Sequence, residues 1–107
     1  MTDKHFSHFH LAGFSYYDGV AVFNELKIGS LLRMVAEPDN QHDPYAVMLY
    51  YNDTKLGYVP RGCNQDIAKM LNLGHTDLFE ARINRISPEA DPEKQLGVVV
   101  WIKEAVK

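Results

Sequence analysis

Three short runs of the 107-residue chain gather side chains able to do chemistry. Tyr16-Tyr17-Asp18-Gly19 places two aromatic rings beside a turn. An exposed aromatic face stacks a nucleobase, worth ~1–3 kcal/mol per base. Taken alone, the motif favours the plainer reading of both tyrosines as amphipathic residues at the edge of a core. Asn40-Gln41-His42-Asp43-Pro44-Tyr45 concentrates polar groups in a turn. An ionised aspartate only accepts hydrogen bonds, so Asp43 suits a donor such as a sugar hydroxyl and repels a phosphate. The competing reading has Asn40 and Asp43 bonding the backbone of their own loop. Gly57-Tyr58-Val59-Pro60-Arg61-Gly62 leads into a helix at Asn64. The free N–H groups of a helix start favour an anion, so Arg61 and those donors suit a phosphate. The plainer alternative is a strand-to-helix connection carrying a solvated arginine.

Other chemistries are poorly supplied. His8-Phe9-His10 puts two imidazoles on one face of a strand, but no C-x-x-C accompanies it, and His5, His42, His75 and Cys63 lie elsewhere. H-x-H alone is half a zinc signal. His42 and Asp43 are adjacent, and neighbouring residues rarely converge on one substrate atom. There is no Gly-rich phosphate loop, G-x-S-x-G or H-E-x-x-H. The expectation is a protein that is not an enzyme and needs no cofactor. A metal-dependent hydrolase would require a bound zinc that these residues do not specify.

Composition narrows the class. The length fits one domain spanning residues 1–107, with a core of about 8–103. Hydrophobic residues make up 46%, too many for a disordered chain. Eleven Lys+Arg against fourteen Asp+Glu give a net charge of −3. That argues against coating duplex DNA, where many phosphates must be neutralised, and leaves room for a small site holding a few nucleotides. A single cysteine excludes an internal disulfide framework and fits a reducing cytoplasm. No apolar run approaches the ~20 residues of a membrane helix, and MTDKHFSH does not read as a signal peptide. A cytoplasmic location without membrane contact is expected.

Short strands must position the three runs. The first is expected over His8 to Phe14, extending toward Tyr17, so that one tyrosine faces in and its neighbour out. Asp18-Gly19 would turn the chain, and Ala21 to Lys27 stays ambiguous. Further strands are expected over 31–36, 46–51, 55–60, 78–86 and 96–102. The run 46–51 reads as buried on both faces or deep in a barrel, and 52–53 closes a hairpin onto 55–60. Leu96 to Ile102 could be an edge strand open to a second copy. One helix is expected, with Asn64 as N-cap, Asp66 in the first turn, an Ile67-Met70-Leu71 stripe and Gly74 as the left-handed terminator. The fold class is mainly β: a small six-stranded OB-like or SH3-like barrel with one or two short helices.

In this order the segments resemble a HIRAN domain. The resemblance is carried by Leu11-Ala12-Gly13-Phe14-Ser15-Tyr16-Tyr17-Asp18-Gly19, by Gly29 with Leu31-Leu32, and by Glu37-Pro38-Asp39-Asn40-Gln41-His42-Asp43-Pro44-Tyr45-Ala46-Val47. Leu56-Gly57-Tyr58-Val59-Pro60-Arg61, Asn64 and Ile67-Ala68 complete it. It runs from about Phe9 to Ile102 and looks most like the free-standing bacterial and phage members. The resemblance implies an OB-like barrel that captures the 3′ end of single-stranded DNA. Bases would stack on Tyr16 and Tyr17, and Asp43 would accept from the terminal 3′ hydroxyl. Asn40 and His42 would shape the pocket, while Tyr58, Arg61 and the helix start near Asn64 would hold the last phosphates. Ser15 and Ala36 stand where arginine is common, and His42 where an aromatic is common, which predicts weaker affinity. Zinc and ATP hydrolysis, also associated with the family, belong to attached helicases; this chain has no P-loop. The expected partner is single-stranded DNA or RNA, in repair or replication, with a helicase or nuclease as protein partner. The alternative is a protein-interaction scaffold that keeps the barrel and binds no nucleic acid.

Overall fold

The computed structural model describes residues 3–104. Six strands form one antiparallel sheet: β1 (Lys4–His10), β2 (Leu31–Ala36), β3 (Val47–Tyr51), β4 (Thr54–Tyr58), β5 (Phe79–Ile86) and β6 (Leu96–Ile102). Their spatial order is β1-β6-β5-β2-β3-β4. One helix, α1 (Arg61–Asn72), lies between β4 and β5, and short 3-10 segments cover Phe14–Tyr16, Asp18–Glu25 and Pro92–Lys94. Period-two alternation drives the curl. Phe79, Ala81 and Ile83 of β5 and Val98 and Val100 of β6 turn inward and are buried. They meet Leu32, Val47, Leu49 and Leu56 in one core, where each fully buried Leu, Val or Ile contributes ~1.5–3 kcal/mol.

The two ends of the sheet order come together at one point. Past His10 the chain stays extended: the Leu11 N–H donates to the Leu96 carbonyl at 2.9 Å, and Ala12 exchanges two 2.9 Å bonds with Tyr58 on β4. The sheet therefore curls as an OB-like fold does but, among the described residues, is joined at this bridge and not along the strands. Gly57 makes the close approach possible, because a Cβ there would lie 2.3 Å from the Ala12 carbonyl oxygen.

Several sequence expectations need correction. The first strand starts and stops earlier, because Gly13 takes a left-handed turn (φ 77°) and Phe14–Tyr16 follows as 3-10 helix. Asp18-Gly19 begins another 3-10 segment rather than a simple turn; Gly19 is buried, and a Cβ there would strike the Phe14 ring at 2.2 Å. Strand β3 alternates buried and half-buried positions instead of hiding both faces. β6 lies between β1 and β5, so it has no open edge. The helix begins at Arg61 with Pro60 before it as cap, which leaves no acidic residue in the first turn and removes Asn64 from the N-cap. Its buried stripe is Asn64, Ile67 and Ala68, with Leu71 half-buried, while Met70 is 40% exposed. Its end is as expected: Gly74 (φ 94°) donates to Leu71 and His75 to Met70, closing the last carbonyls.

Candidate functional site

A cleft of about 280 Å³ opens where the Ala12–Tyr58 seam meets the loop after β2 and the start of α1. Tyr17, Asn40, His42, Asp43, Tyr58 and Arg61 line it, so six of the eight expected site residues converge. They come from three stretches of chain, and the seam and the helix start hold those stretches together.

Asp43 lies at the centre. Its Oδ1 accepts the Tyr45 N–H at 2.9 Å and its Oδ2 accepts the Asn64 side-chain amide at 2.8 Å. Its side chain is 17% exposed. A carboxylate has about four acceptor positions, so these two bonds leave capacity for an incoming donor. Arg61 approaches Oδ2 to 3.8 Å and donates to the His42 carbonyl at 3.0 Å. The guanidinium is 73% exposed, so this ion pair contributes little to stability and leaves the arginine open to other anions. Asn64 does not line the cleft. It is buried on the inner face of α1, where an amide needs a partner, and the Asp43 carboxylate supplies it.

Asn40 follows the backbone-bonding reading. Its Oδ1 accepts the N–H groups of His42 (2.8 Å) and Asp43 (3.0 Å) and so fixes the loop. Its amide nitrogen donates to Glu37 Oε1 at 2.6 Å, and the Tyr58 hydroxyl donates to the same oxygen at 2.8 Å. Lys55 donates to the Tyr58 hydroxyl at 2.8 Å. The Asn40 bond, then the Tyr58 bond, holds the Glu37 carboxyl below the usual carboxylate range. Burial, reinforced by Glu37, pushes the Tyr58 phenol well up, so it stays a donor.

The two neighbouring tyrosines divide. The 3-10 turn leaves Tyr16 81% exposed outside the cleft, while Tyr17 is half-buried in its wall. The Tyr17 and Tyr58 rings lie 5.8 Å apart, tilted by 57°. The Lys55 ammonium stands 4.3 Å from the Tyr17 ring centre and 4.4 Å from that of Tyr58. A cation at this range is attracted to both ring faces. His42 is exposed at the rim. Sequence reasoning missed Glu37 and Lys55. Lys55 precedes Tyr58 by three positions, but only the bulge between β3 and β4 brings the two together on one face.

Among the described residues no group of three or more His, Cys, Asp or Glu is placed to hold a metal ion. His5 and His8 do pair, with Nε2 and Nδ1 3.0 Å apart, because the β1 bulge between His5 and Ser7 breaks the alternation.

The family model of the HIRAN domain matches residues 4–104. Among solved structures, a protein from Lactobacillus plantarum superposes with a TM-score of 0.77 at 25% identity, over 94% of this chain and 95% of that one. The HIRAN domain of human HLTF superposes with a TM-score of 0.62 at 18% identity, over 95% of this chain and 81% of that one, a likeness of fold. No curated protein matches.

Proposed function

The chain belongs to the HIRAN domain family of nucleic-acid-binding modules, and we propose that this member is a binding module, not an enzyme, that captures the free 3′ end of single-stranded DNA. The observation carrying this reading is the Asp43 carboxylate, held from behind by Asn64 and Tyr45 with acceptor capacity to spare, between the Tyr17–Tyr58 wall and Arg61. A terminal 3′ hydroxyl is a donor and satisfies that carboxylate. An internal nucleotide has no such hydroxyl, and a 3′ phosphate sets like charges together. Arg61 takes the last phosphate, and the exposed Tyr16 ring offers a stacking surface beyond Tyr17. An end reader of this kind suits repair or replication, working beside a helicase or nuclease.

The test compares oligonucleotides ending in a 3′ hydroxyl and a 3′ phosphate. The native protein is expected to prefer the hydroxyl. Asp43→Asn keeps an oxygen for the Tyr45 amide but removes the charge, and Asp43→Ala removes both; each should erase the preference. A native protein indifferent to the terminal group would rule out end capture. Absence of any DNA or RNA binding at low salt would instead favour a protein-interaction scaffold.

A further inference from the structure

On the outer face of the sheet lies a second groove of about 320 Å³ lined by His8, Phe9, His10, Asn84, Arg85 and Gly97. Cross-strand register builds it. His10 of β1 and Arg85 of β5 both pair with Gly97 of β6. The bulge between Ile83 and Arg85 sets Asn84 and Arg85 side by side over that glycine. A Cβ on Gly97 would lie 2.6 Å from the Asn84 side-chain oxygen and 2.9 Å from the Arg85 Cβ, so the missing side chain creates the groove floor.

The lining is one-sided in charge. Arg85 is exposed and, among the described residues, its side chain bonds a hydroxyl alone, with its Nε 3.3 Å from Ser87 Oγ. His10 and the Asn84 amide supply further donors, His8 Nδ1 is paired with His5, and no acidic residue lines the groove among the described residues. In a chain of net charge −3 such a pocket suits a phosphate. One backbone stretch links it to the Asp43 cleft. His10 and Ala12 are two positions apart on one extended stretch, about 7 Å by strand rise, and Ala12 lines the cleft. Glu93 is the carboxylate bonded to this stretch, at the Gly13 amide, one residue beyond Ala12.

We propose that this His10–Gly97–Arg85 groove holds an internal phosphate of the strand whose 3′ end occupies the cleft. The proposal rests on the end-capture reading and extends it by one to two nucleotides in the 5′ direction. The track reads backbone, so it adds affinity without sequence preference.

The experiment measures affinity for a dinucleotide and an octanucleotide, both with a free 3′ hydroxyl, over a salt series. The native protein should bind the longer strand more tightly. Arg85→Ala and His10→Ala should leave dinucleotide affinity unchanged and weaken octanucleotide binding on the order of three- to fivefold, with the Arg85 variant lowering the salt slope by about 0.7. If the length gain is absent, or survives both substitutions, the groove is not on the strand's path, and the dinucleotide's hydroxyl preference still reports on the cleft. If neither length binds, both readings fall together.

Discussion

The Asp43 carboxylate is positioned by residues that sequence reasoning assigned other duties. Asn64 reads as a helix cap because it precedes an apolar stripe, yet Pro60 already starts the helix and turns Asn64 inward against Asp43. Asp43 and Arg61 were legible as chemistry from their types alone. Glu37 was not, because its partner Tyr58 is 21 positions away and meets it only when the sheet curls. Asn64→Ala should leave the Asp43 oxygen without its inner donor. A loss of about 1–3 kcal/mol in urea unfolding is expected, with a weaker discrimination between 3′ hydroxyl and 3′ phosphate; full retention of that discrimination would free Asn64 from the site. Glu37 gives a pH signature. Its folded carboxyl releases its proton more readily than the unfolded one, so its contribution is complete above the ordinary value of 4.5 and is lost as pH falls through the lower folded value. Tyr58→Phe removes one of the two bonds responsible. It should cost about 1 kcal/mol at pH 7 and flatten the decline in stability below pH 4.5; parallel native and variant curves would show that the Tyr58 bond has no part in it.

Elements were legible where apolar runs are continuous and sharply bounded. Leu31–Ala36 and Leu96–Ile102 fall where expected, the first stopped by Glu37-Pro38 and the second entered after a Pro-containing loop. The first strand was misplaced because its bulge shifts the alternation of KHFSHFH, and the 3-10 segments escaped because a three-residue period resembles neither strand nor α-helix. The seam between β1 and β4 had a signal, since Gly57 interrupts an otherwise strand-forming run, and a strand glycine marks close backbone approach. Gly57→Ala should force the Ala12 carbonyl away and open the seam, at a cost of about 3 kcal/mol or more. Gly62→Ala is the control: nothing lies within 4 Å of its added methyl, and helix propensity favours alanine, so stability should stay level or rise by up to ~1 kcal/mol. Equal behaviour of the two variants in chemical denaturation would refute the seam's role.

At the scale of the whole molecule, charge decides what kind of nucleic-acid binder this fold can be. A net charge of −3 opposes long contact with a polyanion, whereas a terminal hydroxyl recognised by a carboxylate needs few cations. Arg61 at the cleft and Arg85 at the groove are the exposed arginines placed for phosphate. Each phosphate neutralised on a single strand contributes about 0.7 to the salt slope, so two contacts give about 1.4. Raising salt from 50 to 200 mM should then weaken binding of an octanucleotide only about sevenfold. The same strand gripped along its length by many lysines would lose on the order of several hundredfold over the same range. Fluorescence anisotropy across that series separates the two regimes, and blocking the 3′ hydroxyl with phosphate separates them again: an end reader loses affinity at every salt concentration, while a diffuse binder gains from the added charge. A steep slope with indifference to the blocked end would mean that the molecule's acidic surface does not govern its contact with nucleic acid, and that the Asp43 cleft is not where the strand binds.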